Sequence, residues 1–169
     1  MANTFELISA YTATGSVSSI TFSSIPSTFT DLCLKVSPRG TSSDVFINCK
    51  LAFNGVESFF TQRAIYGNGS SAASYSRSDN LNMFLSTAAN NTSNTFANAE
   101  IYIPNYASSS VNKSFSIDDV TEYNAAESYA QLHAGLWSST APITSITMTP
   151  QSGSFAIYST AYLYGVKNA

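Results

Sequence analysis

The sequence predicts an all-β protein: an antiparallel β-sandwich, a jelly roll of about ten strands. Three observations carry this expectation. Apolar residues alternate with polar ones from end to end, and no window shows the 3.6-residue repeat of an amphipathic helix. β-branched and aromatic runs are cut apart by turn clusters such as Ser-Thr-Ala-Pro at 139–142 and Pro-Gln-Ser-Gly at 150–153. A chain of 169 residues can also bury roughly 70% of its unfolded surface, enough for one core and one domain spanning 1–169.

Taken in order, residues 5–9 and 18–22 open the series. Leu32, Leu34 and Val36 then share one strand face, with Cys33 and Lys35 opposite. Val45, Ile47, Cys49, Leu51 and Phe53 form the next inward face, and the run stops at Asn54-Gly55, a strong hairpin signal. This strand is expected to neighbour the preceding one or to turn directly into residues 59–66. Residues 81–85 follow, then Ala97, Ala99, Ile101 and Ile103, ended by Pro104, which cannot donate to a ladder. Phe115 and Ile117 continue the core pattern. In the following strand Ala130, Leu132, Ala134 and Leu136 are expected inside, leaving Tyr129, Gln131, His133 and Trp137 on the other face. After residues 143–149 the last strand turns Phe155, Ile157, Ala161 and Leu163 inward and Tyr158, Tyr162 and Tyr164 outward. The strand number exceeds the seven of an immunoglobulin sandwich and suits a jelly roll. Two small, polar stretches, 67–80 and 86–94, are long for a compact domain and are expected to be exposed functional loops.

Composition narrows the function. Charged residues make up 10% of the chain, against about 25% in ordinary soluble proteins, which suits a surface covered by neighbours. The net charge is -3, with Lys35, Arg39, Lys50, Arg63, Arg77, Lys113 and Lys167 scattered singly. Nucleic acid is therefore not an expected partner, since phosphate binding needs clustered cations. No run approaches the roughly 18 apolar residues that cross a bilayer, and the start lacks the basic and apolar regions of a signal peptide. No membrane partner and cytoplasmic synthesis are expected. Cys33 and Cys49 have no Cys-x-x-Cys or Cys/His context and are expected as free, half-buried thiols. Four glycosylation sequons, at Asn68, Asn90, Asn91 and Asn112, follow from a Ser/Asn-rich composition.

Chemistry is sparse, and the chain is expected not to be an enzyme. His133 is the single histidine, without a Gly-x-Ser-x-Gly elbow, so a structural or interface role is expected. No metal site or cofactor is expected: the best acidic group is Asp118, Asp119 and Glu122, and adjacent strand residues point to opposite faces. The aromatic stock of ten Tyr, eleven Phe and one Trp suits protein interfaces and sugar stacking alike. Tyr158, Tyr162 and Tyr164 are candidates for an interface, and Tyr66 and Tyr75, flanking the first polar loop, for an exposed binding edge. Trp137 is expected to meet a second sheet, a subunit or a loop, with an interface anchor favoured.

Three segments resemble a known group: ITFSSIPSTFTDLCLKVSPR at 20–39, AEIYIPNYASSSVNKSFSIDDVTEYN at 99–124, and AGLWSSTAPITSITMTPQSGSFAIYSTAYLYGV at 134–166. They cover about half the chain and are similar to small jelly-roll proteins on the surface of tailed bacteriophages, especially phages of aquatic bacteria. In that group a strand runs into Ser-Ile-Pro, a middle strand into Tyr-Ile-Pro-Asn-Tyr, and the end into Gly-Leu-Trp and Thr-Ala-Pro-Ile-Thr-Ser-Ile. The resemblance implies a place on the virion surface after synthesis in the host bacterium. It implies either a capsid decoration (cement) protein stabilising the major capsid protein lattice, or a tail-fibre or knob component recognising host surface glycan. It further implies a homotrimer that binds capsid or tail proteins of the same phage, and carries over no catalytic residue. The short lead before the first strand favours the head.

Overall fold

The computed structural model describes residues 4–122, 124 and 128–167. Their alternation resolves into twelve strands: β1 (Phe5–Thr12), β2 (Ile20–Phe22), β3 (Asp31–Ser37), β4 (Phe46–Phe53), β5 (Phe60–Gly67), β6 (Ala72–Arg77), β7 (Phe84–Thr87), β8 (Asn98–Pro104), β9 (Lys113–Thr121), β10 (Tyr129–Trp137), β11 (Ile146–Pro150) and β12 (Thr160–Val166). The described residues contain no helix. All strands pair antiparallel in two sheets, one of eight strands in the order β1-β12-β3-β8-β9-β10-β5-β6 and one of four in the order β2-β11-β4-β7. The sheets face each other across one apolar core, which makes the molecule a β-sandwich.

Period-two patterning decides which side of each strand enters that core. In β9 every second residue is buried, from Lys113 through Phe115, Ile117 and Asp119 to Thr121. Leu32, Leu34 and Val36 of β3 and Ala99, Ile101 and Ile103 of β8 point the same way, as expected. Opposite them stand Cys49, Leu51 and Phe53 of β4 and Ile146 and Met148 of β11. Phe53 contacts Phe60, Phe115 and Trp137 with ring centroids 5.3, 5.7 and 5.6 Å away. Burial of four such rings removes several hundred Å² of apolar surface from water, at about 25 cal/mol per Å².

Several expectations change. β10 is turned over: His133, Gly135 and Trp137 are buried, while Ala130, Leu132 and Ala134 are exposed. Gly135 faces inward because the Phe115 ring lies over it, with an added Cβ only 2.1 Å from the ring. β3 and β4 are not neighbours, since they belong to different sheets. The Asn54-Gly55 turn forms, with both residues at positive φ and a bridge between Phe53 and Val56. The chain then leaves for the other sheet. Asn54 itself explains this departure: its side-chain oxygen accepts from Thr144 N–H and Ser145 N–H, and its Nδ2 donates to Pro142, which ties the turn to the loop before β11. Val45 and Ile157 are exposed rather than inside.

Both expected loops are more ordered than their composition suggests. Residues 72–77 pair with β5 as the edge strand β6, through a turn in which the Asn68 side chain accepts from Ser70 N–H and Ser71 N–H. The loop after β7 is held by Arg39, whose guanidinium donates to the carbonyls of Thr92, Thr95 and Asn91. Lys113 does similar work elsewhere. Its ammonium is buried and donates to the carbonyls of Ser108, Val111 and Thr140 at 2.7–3.1 Å, and desolvation lowers its pKa from the usual lysine value.

Candidate functional site

The large sheet has twice the strands of the small one, and its β10, β5 and β6 form a wing that packs on Phe53 of β4 at one end and meets Phe46 of β4 at the other. Along the inner face of β10 the side chains change from apolar Trp137 to polar His133, Gln131 and Tyr129. This change marks the point where the core gives way to a buried polar cluster and then to an open cleft.

Asp119 organises the cluster. Its Oδ1 lies 3.0 Å from His133 Nε2, and its Oδ2 accepts from Leu85 N–H at 3.0 Å and from Gln131 Nε2 at 3.3 Å. His133 and Asp119 are essentially inaccessible, with side chains 1% and 0% exposed. The other imidazole nitrogen, Nδ1, is 3.3 Å from Gln62 Oε1, while Gln62 Nε2 has no partner among the described residues. The imidazole is gripped at both nitrogens, by Asp119 at Nε2 and by Gln62 at Nδ1. The carboxylate thus satisfies a donor of an edge strand that has no further neighbour in its own sheet. It also closes that side of the sandwich.

Beyond the cluster lies the cleft, of about 200 Å³, lined by Phe46, Asn48, Tyr66, Tyr75, Asn82, Leu85, Tyr129 and Gln131. Phe46 and Asn48 alternate with the core residues Ile47 and Cys49, so they stand on the outer face of the small sheet. The three tyrosines come from the inner face of the wing. Their rings form a connected row: Phe46 to Tyr129 at 5.1 Å, Tyr129 to Tyr66 at 6.0 Å, Tyr66 to Tyr75 at 6.1 Å, and Tyr75 to His133 at 6.1 Å. Burial pushes the Tyr75 phenol up to about 12. Arg77 lies over the Tyr75 ring, 5.9 Å from its centroid. With the Asn82 amide turned, Arg77 donates to the Asn82 side-chain oxygen through Nε at 2.9 Å and Nη2 at 2.8 Å. The arginine braces the cleft's rim.

The opposite face of the wing is different. Leu132 and Ile65 are paired across strands and are 52% and 60% exposed, with Val120 exposed beside them. Alanines 72, 73 and 130 extend this surface into a shallow apolar depression of about 690 Å³. Towards the middle of the sheet the same face becomes charged. Lys35 and Glu100 form a 2.8 Å ion pair, and desolvation and Glu100 together raise the carboxyl pKa of neighbouring Asp118.

The structure brings together Tyr66, Tyr75 and His133 but separates the other expected site residues. Trp137 lies in the core, 2% exposed and stacked near Phe60 with centroids 6.3 Å apart. That corrects the expected interface anchor: an indole enclosed by its own chain has no face left for a partner. Tyr162 and Tyr164 stand on the outer face of the large sheet at the β12 positions paired with Lys35 and Cys33. Tyr158 stands apart on a turn at positive φ, 68% exposed. Cys33 and Cys49 are free and fully buried, and burial raises both thiols, Cys33 to about 11. Among the described residues no group of acids, cysteines and histidine is placed to hold a metal ion, and no helix is long and apolar enough to cross a membrane. Phe46, Asn48 and Tyr129 were missed as site residues. No sequence signal links them, because they come from opposite faces of two sheets. No family model and no curated protein matches this chain, so its own geometry carries the functional reading.

Proposed function

We propose that this chain is a structural protein of a bacteriophage virion, a capsid decoration protein seated on the outer head surface and reinforcing the major capsid protein lattice. The observation that carries the reading is the exposed apolar surface on the outside of the wing, centred on Ile65, Leu132 and Val120. A patch of this kind on a weakly charged protein suits a protein neighbour. The three resembling segments supply the virion context. The jelly-roll part of the reading is supported by the orders β2-β11-β4-β7 and β10-β5-β6. Each sheet there joins strands from distant parts of the chain, as Greek-key wiring does. Homotrimer formation belongs to the same reading, as a heterologous interface closing around a three-fold axis. A non-catalytic role is supported by the burial of His133, whose side chain is 1% exposed and out of reach of a substrate.

Quantitative mass spectrometry of purified particles tests the proposal. The expected copy number scales with the number of capsid subunits; a few copies per particle would place the protein on the tail. A second reading, as a tail component recognising host glycan, is favoured by the aromatic cleft. Loss of infection when purified protein competes for cells would support it.

A further inference from the structure

We infer that the cleft between the β10-β5-β6 wing and the outer face of β4 is a binding site for one ring of a neutral sugar. The inference goes beyond the docking proposal, and it rests on the recognition reading only for the source of the sugar. Three properties of the cleft point to this ligand.

The first is size. About 200 Å³ is the space of roughly six or seven waters at ~30 Å³ each, which suits a single ring and leaves a longer glycan running out over the rim. The second is lining chemistry. Phe46, Tyr66 and Tyr129 offer ring faces and edges for the C–H surface of a pyranose, while Asn48 and Gln131 bring amides able both to donate to and accept from hydroxyls. None of the lining side chains carries a charge, and Arg77 at the rim is already engaged by Asn82 and Asp79, so an anionic or ammonium ligand would lose its hydration without a free ion partner. A neutral polyol escapes that penalty. The third is rigidity. Gln131 is held by Asp119, which is itself anchored by His133 and Leu85 N–H, so one hydrogen-bonding group is fixed before ligand arrives. The apolar depression on the other side of the wing lacks such a row of rings. The two faces of one wing therefore suit two different occupants.

The test is a ¹H–¹⁵N NMR titration of the full chain with the methyl glycosides of glucose, galactose, mannose and N-acetylglucosamine. The expected result is saturable shifts for at least one of them, confined to the Asn48 and Gln131 side-chain amides and the backbone of Tyr66 and Tyr75, with a dissociation constant on the order of 1 mM. Tyr66→Ala and Asn48→Ala should each weaken binding about tenfold or more, whereas Tyr158→Ala should leave it unchanged. Should Tyr66→Ala fail to fold, Asn48→Ala alone decides, because its side chain is half-exposed. Absence of shifts at the cleft with all four glycosides, or shifts centred elsewhere, would overturn the inference. Sugar binding without adsorption of the protein to host cells would uphold the site and sink the recognition reading alone.

Discussion

Replacing Asp119 with alanine should cost the protein about 4 kcal/mol, for reasons that can be worked out bond by bond. The carboxylate is the acceptor for Leu85 N–H, His133 Nε2 and Gln131 Nε2. Leu85 and His133 are buried, and a buried donor left without a partner costs about 1–3 kcal/mol. Gln131 borders the cleft, where water replaces the carboxylate at a loss of well under 1 kcal/mol. The sum is about 2–6 kcal/mol, a large part of the 5–15 kcal/mol that holds a typical domain folded. With a urea m value of about 2 kcal/mol/M, the midpoint should fall by about 2 M. Trp137, the single buried indole, reports the transition by fluorescence. Asp119→Asn, which keeps one acceptor oxygen, should fall between the two. Hydrogen exchange adds a local readout: the Leu85 amide should lose protection in Asp119→Ala by more than the global stability change explains. A midpoint within about 0.3 M of wild type, or unchanged exchange at Leu85, would refute the assignment of Asp119 as keystone of the cluster.

Trp137→Ala should destabilise the fold by about 3–5 kcal/mol, measured by circular dichroism in urea. A variant of near-native stability that loses only self-association would restore the interface reading. Gly135→Ala should cost about 1–3 kcal/mol through overpacking, because the new Cβ meets the Phe115 ring at 2.1 Å; differential scanning calorimetry should show a lower Tm. Stability should also fall with alkali. Burial raises Tyr75 to about 12, and a hydrogen bond to Asp31 raises Tyr102 equally. Between about pH 10 and 12 the unfolded chain loses phenolic protons that the folded chain retains, so their contribution is present below pH 10 and lost through that window. Lys113, whose value is lowered, acts in the opposite sense. Urea midpoints across that range should decline in the wild type and less so in Tyr102→Phe.

Sequence patterning was most informative where a strand has one apolar side and one polar side. β3 and β8 meet that condition, and their inward Leu32, Leu34, Val36, Ala99, Ile101 and Ile103 were legible. On β9 Phe115 and Ile117 were, whereas the buried Lys113, Asp119 and Thr121 were not, because polar residues occupy both of its faces. β10 does not meet the condition. Its outer face carries Ala130, Leu132 and Ala134, whereas its inner face carries His133, which is compatible with the core only because Asp119 and Gln62 pair with it. Alternation identifies two faces, and here hydrophobicity named the wrong one as buried. β6 was hidden for another reason: AASYSR has little intrinsic strand preference, and its conformation comes from the ladder that β5 offers. Of the cleft, Tyr66 and Tyr75 could be read from their places beside a polar stretch. Phe46, Asn48 and Tyr129 required knowledge of how one sheet meets the other.

The position of β1 has a kinetic consequence. Among the described residues its strand partner is β12, with Phe5 opposite Val166, so this ladder joins the two strands that lie farthest apart in sequence and cannot form until both are present. Until then Ile8, half-buried in the fold, is uncovered; Phe5 and Leu7 stay exposed even after pairing. Folding that waits for so distant a contact belongs to the slow, millisecond-to-second class of β proteins. During the wait, at high local concentration, the β12 of a second nascent copy presents the same ladder as the chain's own. Strand exchange between copies is therefore the misfolding route most accessible to this topology, and raising expression should increase swapped dimers in proportion.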